Sequence, residues 1–117
     1  MRGQRIGVDL DSKNRFQMLK TYLNGRRFGE TEVWETRNGF HVKIKKTVTA
    51  QKNILVRHTL GDDPLRLQCD EAKVELGLHN LVDTLFTEKW YPDGTYSKAE
   101  QINPLAEQFW GVNSLVY

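Results

Sequence analysis

Residues 32–45 read EVWETRNGFHVKIK, and they hold the strongest local signal in the chain. Asn38 and Gly39 lie between two runs rich in β-branched and aromatic residues, a setting typical of a β-hairpin turn. A two-residue turn predicts that Arg37 faces Phe40 across the hairpin. Side chains alternate along a strand, so one face is expected to join the core and the other to carry polar groups. The expected core set is Val33, Phe40, Val42 and Ile44, and the opposite set is Trp34, Thr36, His41 and Lys43.

The segments around this hairpin give the order of the remaining elements. Residues 5–11 alternate between apolar and polar side chains, which predicts a half-buried strand. Helical spacing of apolar residues predicts helices over 12–25 and 47–60. Residues 65–70 alternate again and predict a last strand. A helix that begins at Pro64 is the alternative, because proline suits the first turn of a helix.

This order predicts an α+β fold with a ferredoxin-like or RRM-like βαββαβ sheet over residues 5–70. The first and third strands would be neighbours at its centre. Residues 71–117 are expected to form a helical C-terminal extension, with one helix over 80–89 and another after Asn103-Pro104. A length of 117 residues favours a single domain.

Composition excludes several protein classes. A hydrophobic fraction of 38% is too high for wholesale disorder, and no apolar run is long enough to span a membrane. The N-terminal residues lack the apolar core of a signal peptide. The single cysteine, Cys69, excludes an internal disulfide and a multi-cysteine zinc site. We therefore expect an intracellular protein of a reducing compartment, cytoplasmic and without a membrane partner.

Charge is distributed unevenly along the chain. Residues 1–57 carry 13 Lys and Arg against 5 Asp and Glu, whereas residues 58–117 carry 4 against 10. The balances are therefore +8 and −6, within a net charge of +2. This asymmetry predicts a basic surface region and nucleic acid as a partner. The alternative is that the two halves pair with each other or form solvated faces.

Strand parity predicts an acidic site on the open face of the sheet. Asp9 and Asp11 alternate with the apolar residues of the first strand, and Asp70 does the same in the predicted last strand. The neighbouring hairpin strand adds His41. Carboxylate oxygens are the ligands that hard divalent cations prefer, and such cations assist phosphoryl transfer. The pattern predicts Asp9, Asp11, His41 and Asp70 as catalytic residues, with Mg²⁺ or Mn²⁺ held by the three aspartates.

Basic and aromatic residues near the same face predict nucleic-acid contacts. Lys43, Arg57 and Arg66 are expected to supply charge to phosphates. Trp34 is expected to stack on bases, as aromatic residues of RRM sheets do, or alternatively to be buried under the C-terminal segment.

Three short motifs resemble those of archaeo-eukaryotic primases. Asp9-Leu10-Asp11 is similar to their hydrophobic-Asp-x-Asp motif, residues 36–41 resemble their Gly-x-His motif, and Asp70 resembles their third acidic position. The resemblance covers roughly residues 5–70. It implies an RRM-like core for metal-dependent nucleotidyl transfer, with His41 on a nucleotide phosphate. The small size and low cysteine content also resemble proteins of archaeal viruses and plasmids.

Other interpretations of these residues remain open. Asp11 and Ser12 also fit the cap of the first helix. His41 also fits an ordinary exposed cross-strand partner. Ordinary turn or surface charges are the alternative for Asp62, Asp63 and Asp70. The function is accordingly either nucleic-acid binding or processing, or a non-catalytic structural role as a homodimer. An enzyme would be a metal-dependent nucleotidyltransferase or nuclease. The dimer contact would use the aromatic residues of the last third: Trp90, Tyr91, Tyr96, Phe109 and Trp110.

Overall fold

A computed structural model describes residues 4–85 and 88–106 of the chain. These residues form an α+β fold with a four-stranded antiparallel sheet, a two-stranded sheet and three α-helices. The strands are β1 (Gln4–Leu10), β2 (Thr31–Glu35), β3 (Phe40–Val48), β4 (Glu88–Trp90), β5 (Tyr96–Lys98) and β6 (Glu100–Ile102). The helices are α1 (Arg15–Gly25), α2 (Ala50–Leu60) and α3 (Pro64–Glu75), followed by a 3-10 turn at His79–Leu81.

The hairpin β2–β3 confirms the predicted faces but not the predicted register. Val33, Phe40, Val42 and Ile44 are all buried, as expected from alternation. However, Glu35 rather than Arg37 pairs with Phe40, so the connection is a four-residue loop. The register is shifted by two residues, and an even shift leaves every side chain on its predicted face.

Close backbone packing accounts for the glycine in this loop. Gly39 is not among the described glycines with positive φ, so the Asn-Gly pair does not form the primed turn that the sequence suggested. A Cβ atom at Gly39 would lie 2.8 Å from the Ser12 nitrogen and nearer still to the Leu10 carbonyl oxygen. The end of β1 therefore packs directly on the loop, which only glycine permits.

The predicted strand over 65–70 is wrong, because these residues belong to α3. Pro64 occupies the first turn of this helix, and the Asp63 side chain accepts a hydrogen bond from the Leu65 N–H as the N-cap. Leu67 and Asp70, three residues apart, are its buried positions, whereas Leu65 and Cys69 are exposed. The predicted βαββαβ order therefore lacks its last strand.

The observed order of the four-stranded sheet is β1-β3-β2-β6, with β1 at one edge. The expected neighbours β1 and β3 are adjacent. The helix predicted over 80–89 is also wrong, since a short 3-10 turn and β4 occupy its described part. Residues 96–98 and 100–102 are strands rather than part of a helical extension, and residues 107–117 lie outside the described ranges.

The core lies between one face of the four-stranded sheet and the helices. Ile6, Val8 and Leu10 of β1 pack there with the buried hairpin residues, with Met18 of α1 and with Val56 of α2. The N-cap of α1 is Asn14, whose side chain accepts from two backbone N–H groups, so neither Ser12 nor Asp11 caps this helix. Thr49 caps α2 through a hydrogen bond that its side chain accepts from the Lys52 N–H, so this helix begins after residues 47 and 48, which belong to β3. Within the described ranges, no helix has the length and apolar character that crossing a bilayer requires.

Candidate functional site

A cleft of about 400 Å³ opens on the sheet face opposite the core. The end of β1, the hairpin loop and the start of α3 form one side of it, and residues of 84–99 form the other. We call it the β1–β3 cleft. Its lining residues are Asp9, Asp11, Thr36, Arg37, Asn38, His41, Asp63, Arg66, Thr84, Leu85, Lys89, Tyr91, Ser97 and Ala99.

Strand pairing brings two of the predicted site residues into contact. Asp9 and His41 are direct partners in the register of β1 and β3. The distance from His41 Nε2 to Asp9 Oδ1 is 3.5 Å. Asp11 lines the same cleft from the residue just beyond β1. The parity argument from the sequence is therefore confirmed for these three residues.

The Asp9 carboxyl lies in a crowded, partly buried position. Burial raises its pKa, the nearby guanidinium of Arg66 works in the opposite direction, and the carboxylates of Asp62, Asp11 and Asp63 raise it further. A negative charge at Asp9 is therefore costly. A bound cation would remove much of that cost.

The imidazole of His41 is neutral at physiological pH. Burial lowers its pKa to about 4, and the positive charges of Lys43 and Arg66 add to the effect, against an opposing contribution from Asp62. Its Nδ1 atom is buried and has no hydrogen-bond partner among the described residues. A neutral imidazole carries one donor and one acceptor nitrogen, and with Nδ1 buried only Nε2 is left to face a ligand.

The low pKa of His41 predicts a specific loss of stability in mild acid. The unfolded chain binds a proton near pH 6.5 and the folded chain only near pH 4, so stability is complete above pH 6.5 and falls as the pH drops towards 4. We expect a loss of about 2–3 kcal/mol across this window in metal-free buffer. Urea denaturation at several pH values checks this.

The matched variant for this prediction is His41→Gln, which keeps a polar side chain but does not titrate. The difference in unfolding free energy between the two proteins is expected to change with pH between 6.5 and 4. Asp9, whose pKa is raised, makes the unfolding free energy depend on pH in the opposite direction. It is present in both proteins, so this contribution largely cancels in the difference between them. Parallel curves for the two proteins would contradict a neutral, buried His41.

Asp70 does not lie in the cleft, contrary to the sequence prediction. It sits on α3, is 4% exposed, and its Oδ2 accepts from Arg57 Nη1 at 2.6 Å and from the Asp83 N–H at 2.9 Å. Burial alone would raise its pKa, but the Asp83 N–H, Arg57 and Lys73 together hold it below the usual value. Its carboxylate is thus committed to internal ion pairs.

Arg57 and Arg66 also belong to these ion pairs rather than to a phosphate site. Arg57 is fully buried, and its Nε donates to Asp62 at 2.7 Å. Arg66 borders the cleft, but its Nη1 donates to Asp62 and its Nη2 to Asp83. The predicted phosphate role of Arg57 is wrong because its guanidinium has no access to solvent. Arg66 instead donates to the Gly7 carbonyl of β1, and its charge opposes the rise in the pKa of Asp9.

The resulting buried cluster takes the place of a missing strand at the free edge of β1. Carboxylates of Asp83 and Asp62 accept from the Gly7 and Asp9 N–H groups, at 2.6 and 2.8 Å. In return, Asn53 and Arg66 donate to backbone carbonyls of β1. We call this set the edge cluster: Asn53, Arg57, Asp62, Arg66, Asp70 and Asp83.

The edge cluster explains why the sheet ends at β1 and how Asp9 is fixed. Unpaired backbone groups at a sheet edge must find partners, and here side chains supply them. Sequence analysis missed Asp62 and Asp83 as members. The sequence did contain a weak signal for a buried polar cluster. Asn53 and Arg57 are four residues apart and therefore lie on one face of α2, and this face also carries the buried residues Val56 and Leu60.

Trp34 and Lys43 contact each other outside the lining of the cleft. The Lys43 ammonium lies 4.9 Å from the centroid of the Trp34 ring. Trp34 is half-buried between β3 and β6, with its Nε1 buried and without a hydrogen-bond partner in the described part of the chain. This ring is not a free surface for a base, so the stacking prediction is not supported by its position.

The three-aspartate metal centre expected from the sequence is not assembled. Within residues 4–85 and 88–106, no three His, Cys, Asp or Glu side chains are grouped closely enough to hold a metal ion. Asp9 and Asp11 remain together at the cleft. Mg²⁺ often binds through one or two carboxylates together with substrate phosphates, and this pair fits that arrangement.

Comparison of the chain with protein-family models, with curated proteins and with solved structures found no significant match.

Proposed function

We propose that this protein processes nucleic acids, and that its β1–β3 cleft binds the phosphates of a nucleotide or nucleic-acid end. The observation that carries the proposal is the meeting of Asp9 on β1, Asp11 just beyond it and His41 on the neighbouring β3, in one cleft edged by Arg37 and Lys89. Two carboxylates, a neutral imidazole and two cations match the needs of a phosphate–metal complex. The resemblance to primases points to nucleotidyl transfer as the reaction.

Asp9 and Asp11 would hold Mg²⁺ or Mn²⁺, with phosphate oxygens and water completing the coordination. When bound, the cation would neutralise phosphate charge and polarise the reacting phosphorus centre. Burial disfavours the bare charge of Asp9, and Asp62, Asp11 and Asp63 add to this effect against the opposing charge of Arg66, so a cation bound at this carboxylate would be favoured. The edge cluster holds the Asp9 backbone through Asp62.

His41, Arg37 and Lys89 would contact the phosphates. Because the Nδ1 of His41 is buried, its Nε2, which lies 3.5 Å from Asp9 Oδ1, is the ring nitrogen that would donate to a phosphate. Arg37 is held by Thr95 at 2.7 Å and by Asp93 at 3.5 Å, and it lies over the Tyr91 ring, 4.1 Å from its centroid. This stacking orients the guanidinium at the rim of the cleft.

A homodimeric, non-catalytic protein is the second candidate. It is favoured by Trp90, which is 72% exposed, although Phe109 and Trp110 of the same proposed contact lie outside the described residues. A cytoplasmic location accompanies either function, on the grounds of the single cysteine.

Calorimetric titration with a nucleoside triphosphate tests the proposed function. Binding is expected with Mn²⁺ and to weaken strongly in EDTA. Asp9→Asn should weaken Mn²⁺-dependent binding roughly 10- to 100-fold, since an interaction with a charged group contributes about 1.5–3 kcal/mol. Glu75→Gln, which removes an equal charge from an exposed position on α3, serves as the control. Equal affinities in Mn²⁺ and EDTA, unchanged by Asp9→Asn, would contradict the proposal.

A further inference from the structure

The β1–β3 cleft continues into a second groove of about 340 Å³. Both depressions are lined by Thr36, Arg37 and Ser97, so the same side chains form the end of one and the start of the other. Arg37 stands at this junction. A chain-like ligand whose end lies in the cleft therefore has a path past Arg37 into the second groove.

The second groove carries more cations than carboxylates. Lys13, Arg37 and Lys98 line it, against Glu35 and Glu100. The Lys13 ammonium is 3.3 Å from Glu35 and also contacts the Thr36 carbonyl, and it remains 48% exposed. Lys98 is 65% exposed. Arg37 also pairs with Asp93 at 3.5 Å and Lys98 with Glu88 at 3.8 Å, so all three of these cations have a carboxylate partner. Exposed ion pairs of this kind are weak, so the phosphates of a phosphodiester backbone can take the place of the carboxylates.

The groove leads to an exposed aromatic pair on the β4–β5 hairpin. Trp90 and Tyr96 are direct cross-strand partners, and their ring centroids are 5.1 Å apart. They are 72% and 47% exposed. Side chains alternate along β5, so Tyr96 and Lys98 lie on the same face of this strand. Ser97 lies on the opposite face of the strand and lines the cleft. The edge of β5 thus separates the cleft from the aromatic face.

We propose that this path binds single-stranded nucleic acid, with phosphates along Lys13, Arg37 and Lys98 and bases stacked on Trp90 and Tyr96. The inference rests on the proposed function of the cleft, which it extends by a separate strand-binding surface. A cationic groove beside accessible aromatic rings is the combination used to bind single strands without base-specific hydrogen bonds. A duplex, whose bases are already stacked, would not use the aromatic pair.

Fluorescence anisotropy with a labelled 12-nucleotide oligothymidylate tests this surface. Trp90→Ala is expected to weaken binding about 5- to 100-fold, the range that corresponds to the loss of one stacked base. Trp90→Phe should retain most of the affinity, since it keeps an aromatic face. Leu76→Ala, which truncates a side chain that is 75% exposed on another part of the molecule, should bind like the unaltered protein.

Two further measurements separate this inference from the function of the cleft. Mn²⁺-dependent binding of a nucleoside triphosphate should be the same in Trp90→Ala and the unaltered protein, whether or not the cleft acts as proposed. Light scattering reports whether Trp90 instead holds two copies together. Unchanged oligonucleotide affinity in Trp90→Ala, or a dimer that this substitution dissociates, would overturn the inference.

Discussion

Arg57→Met is expected to destabilise the fold by about 3–5 kcal/mol, because it leaves buried carboxylates without their cation. Arg57 is fully buried, and its Nε and Nη1 donate to Asp62 and Asp70 at 2.7 and 2.6 Å. Methionine fills a similar volume but offers no donor. A domain of this size has a total stability of roughly 5–15 kcal/mol, so the loss is a large part of it.

The pKa directions agree with this dependence. Burial by itself would lower the pKa of Arg57, but the charges of Asp83, Asp62 and Asp70 outweigh it and raise the pKa. The pKa of Asp70 lies below its usual value, which likewise favours the charged form. Each partner therefore stabilises the charged form of the other. Removing one must raise the cost of keeping the others ionised.

Urea denaturation monitored by circular dichroism measures the effect. Lys52→Met is the matched control, since it makes the same kind of change at an exposed position on α2. We expect its unfolding free energy to stay within about 0.5 kcal/mol of the unaltered protein. A loss below about 1 kcal/mol for Arg57→Met would show that the edge cluster does not depend on this guanidinium.

Gly39→Ala is the second large effect that we expect, at about 3 kcal/mol or more. The added methyl group would meet the backbone of Leu10, at the end of β1, and of Ser12 just beyond it, and backbone atoms have less freedom to yield than side-chain ends. Either the hairpin loop or the end of β1 must move. Both carry cleft residues, so nucleotide binding should fall together with stability.

Thermal and urea unfolding of Gly39→Ala check this prediction against Gly29→Ala. A Cβ atom at Gly29 would make only ordinary contact, with Lys46 Cβ at 3.4 Å, so that variant should remain within about 0.5 kcal/mol of the unaltered protein. If the two alanine variants unfold alike, the close approach of Leu10 to Gly39 does not exist in solution.

Sequence alone predicted the faces of β1, β2 and β3 but not the structure of residues 65–102. Alternation over β1 and β3 is long and regular, so burial of Val8 and Val42 followed directly from it. The six residues 65–70 are too short for alternation to exclude a helix. The start signals at Asp63 and Pro64 decide in favour of the helix, and the buried contacts of Leu67 and Asp70 then stabilise it.

The candidate site was predictable where it depends only on which face of a strand each side chain occupies. Asp9, Asp11 and His41 meet because their strands are neighbours, a relation that the order of elements implies. Asp70 was wrongly included because its position was inferred from a strand that does not form. The contacts of Asp62 and Asp83 with β1 join residues 53 and 76 positions apart, and no local pattern reports such separations.

Paramagnetic broadening by Mn²⁺ tests the central claim, that the β1–β3 cleft holds a cation with a phosphate ligand. In an amide NMR spectrum recorded with substoichiometric Mn²⁺ and a nucleoside triphosphate, we predict that signals from residues 9–11, 36–41 and 63 broaden first. Asp9→Asn should abolish that pattern. Broadening confined to other regions, or none at all, would contradict the account.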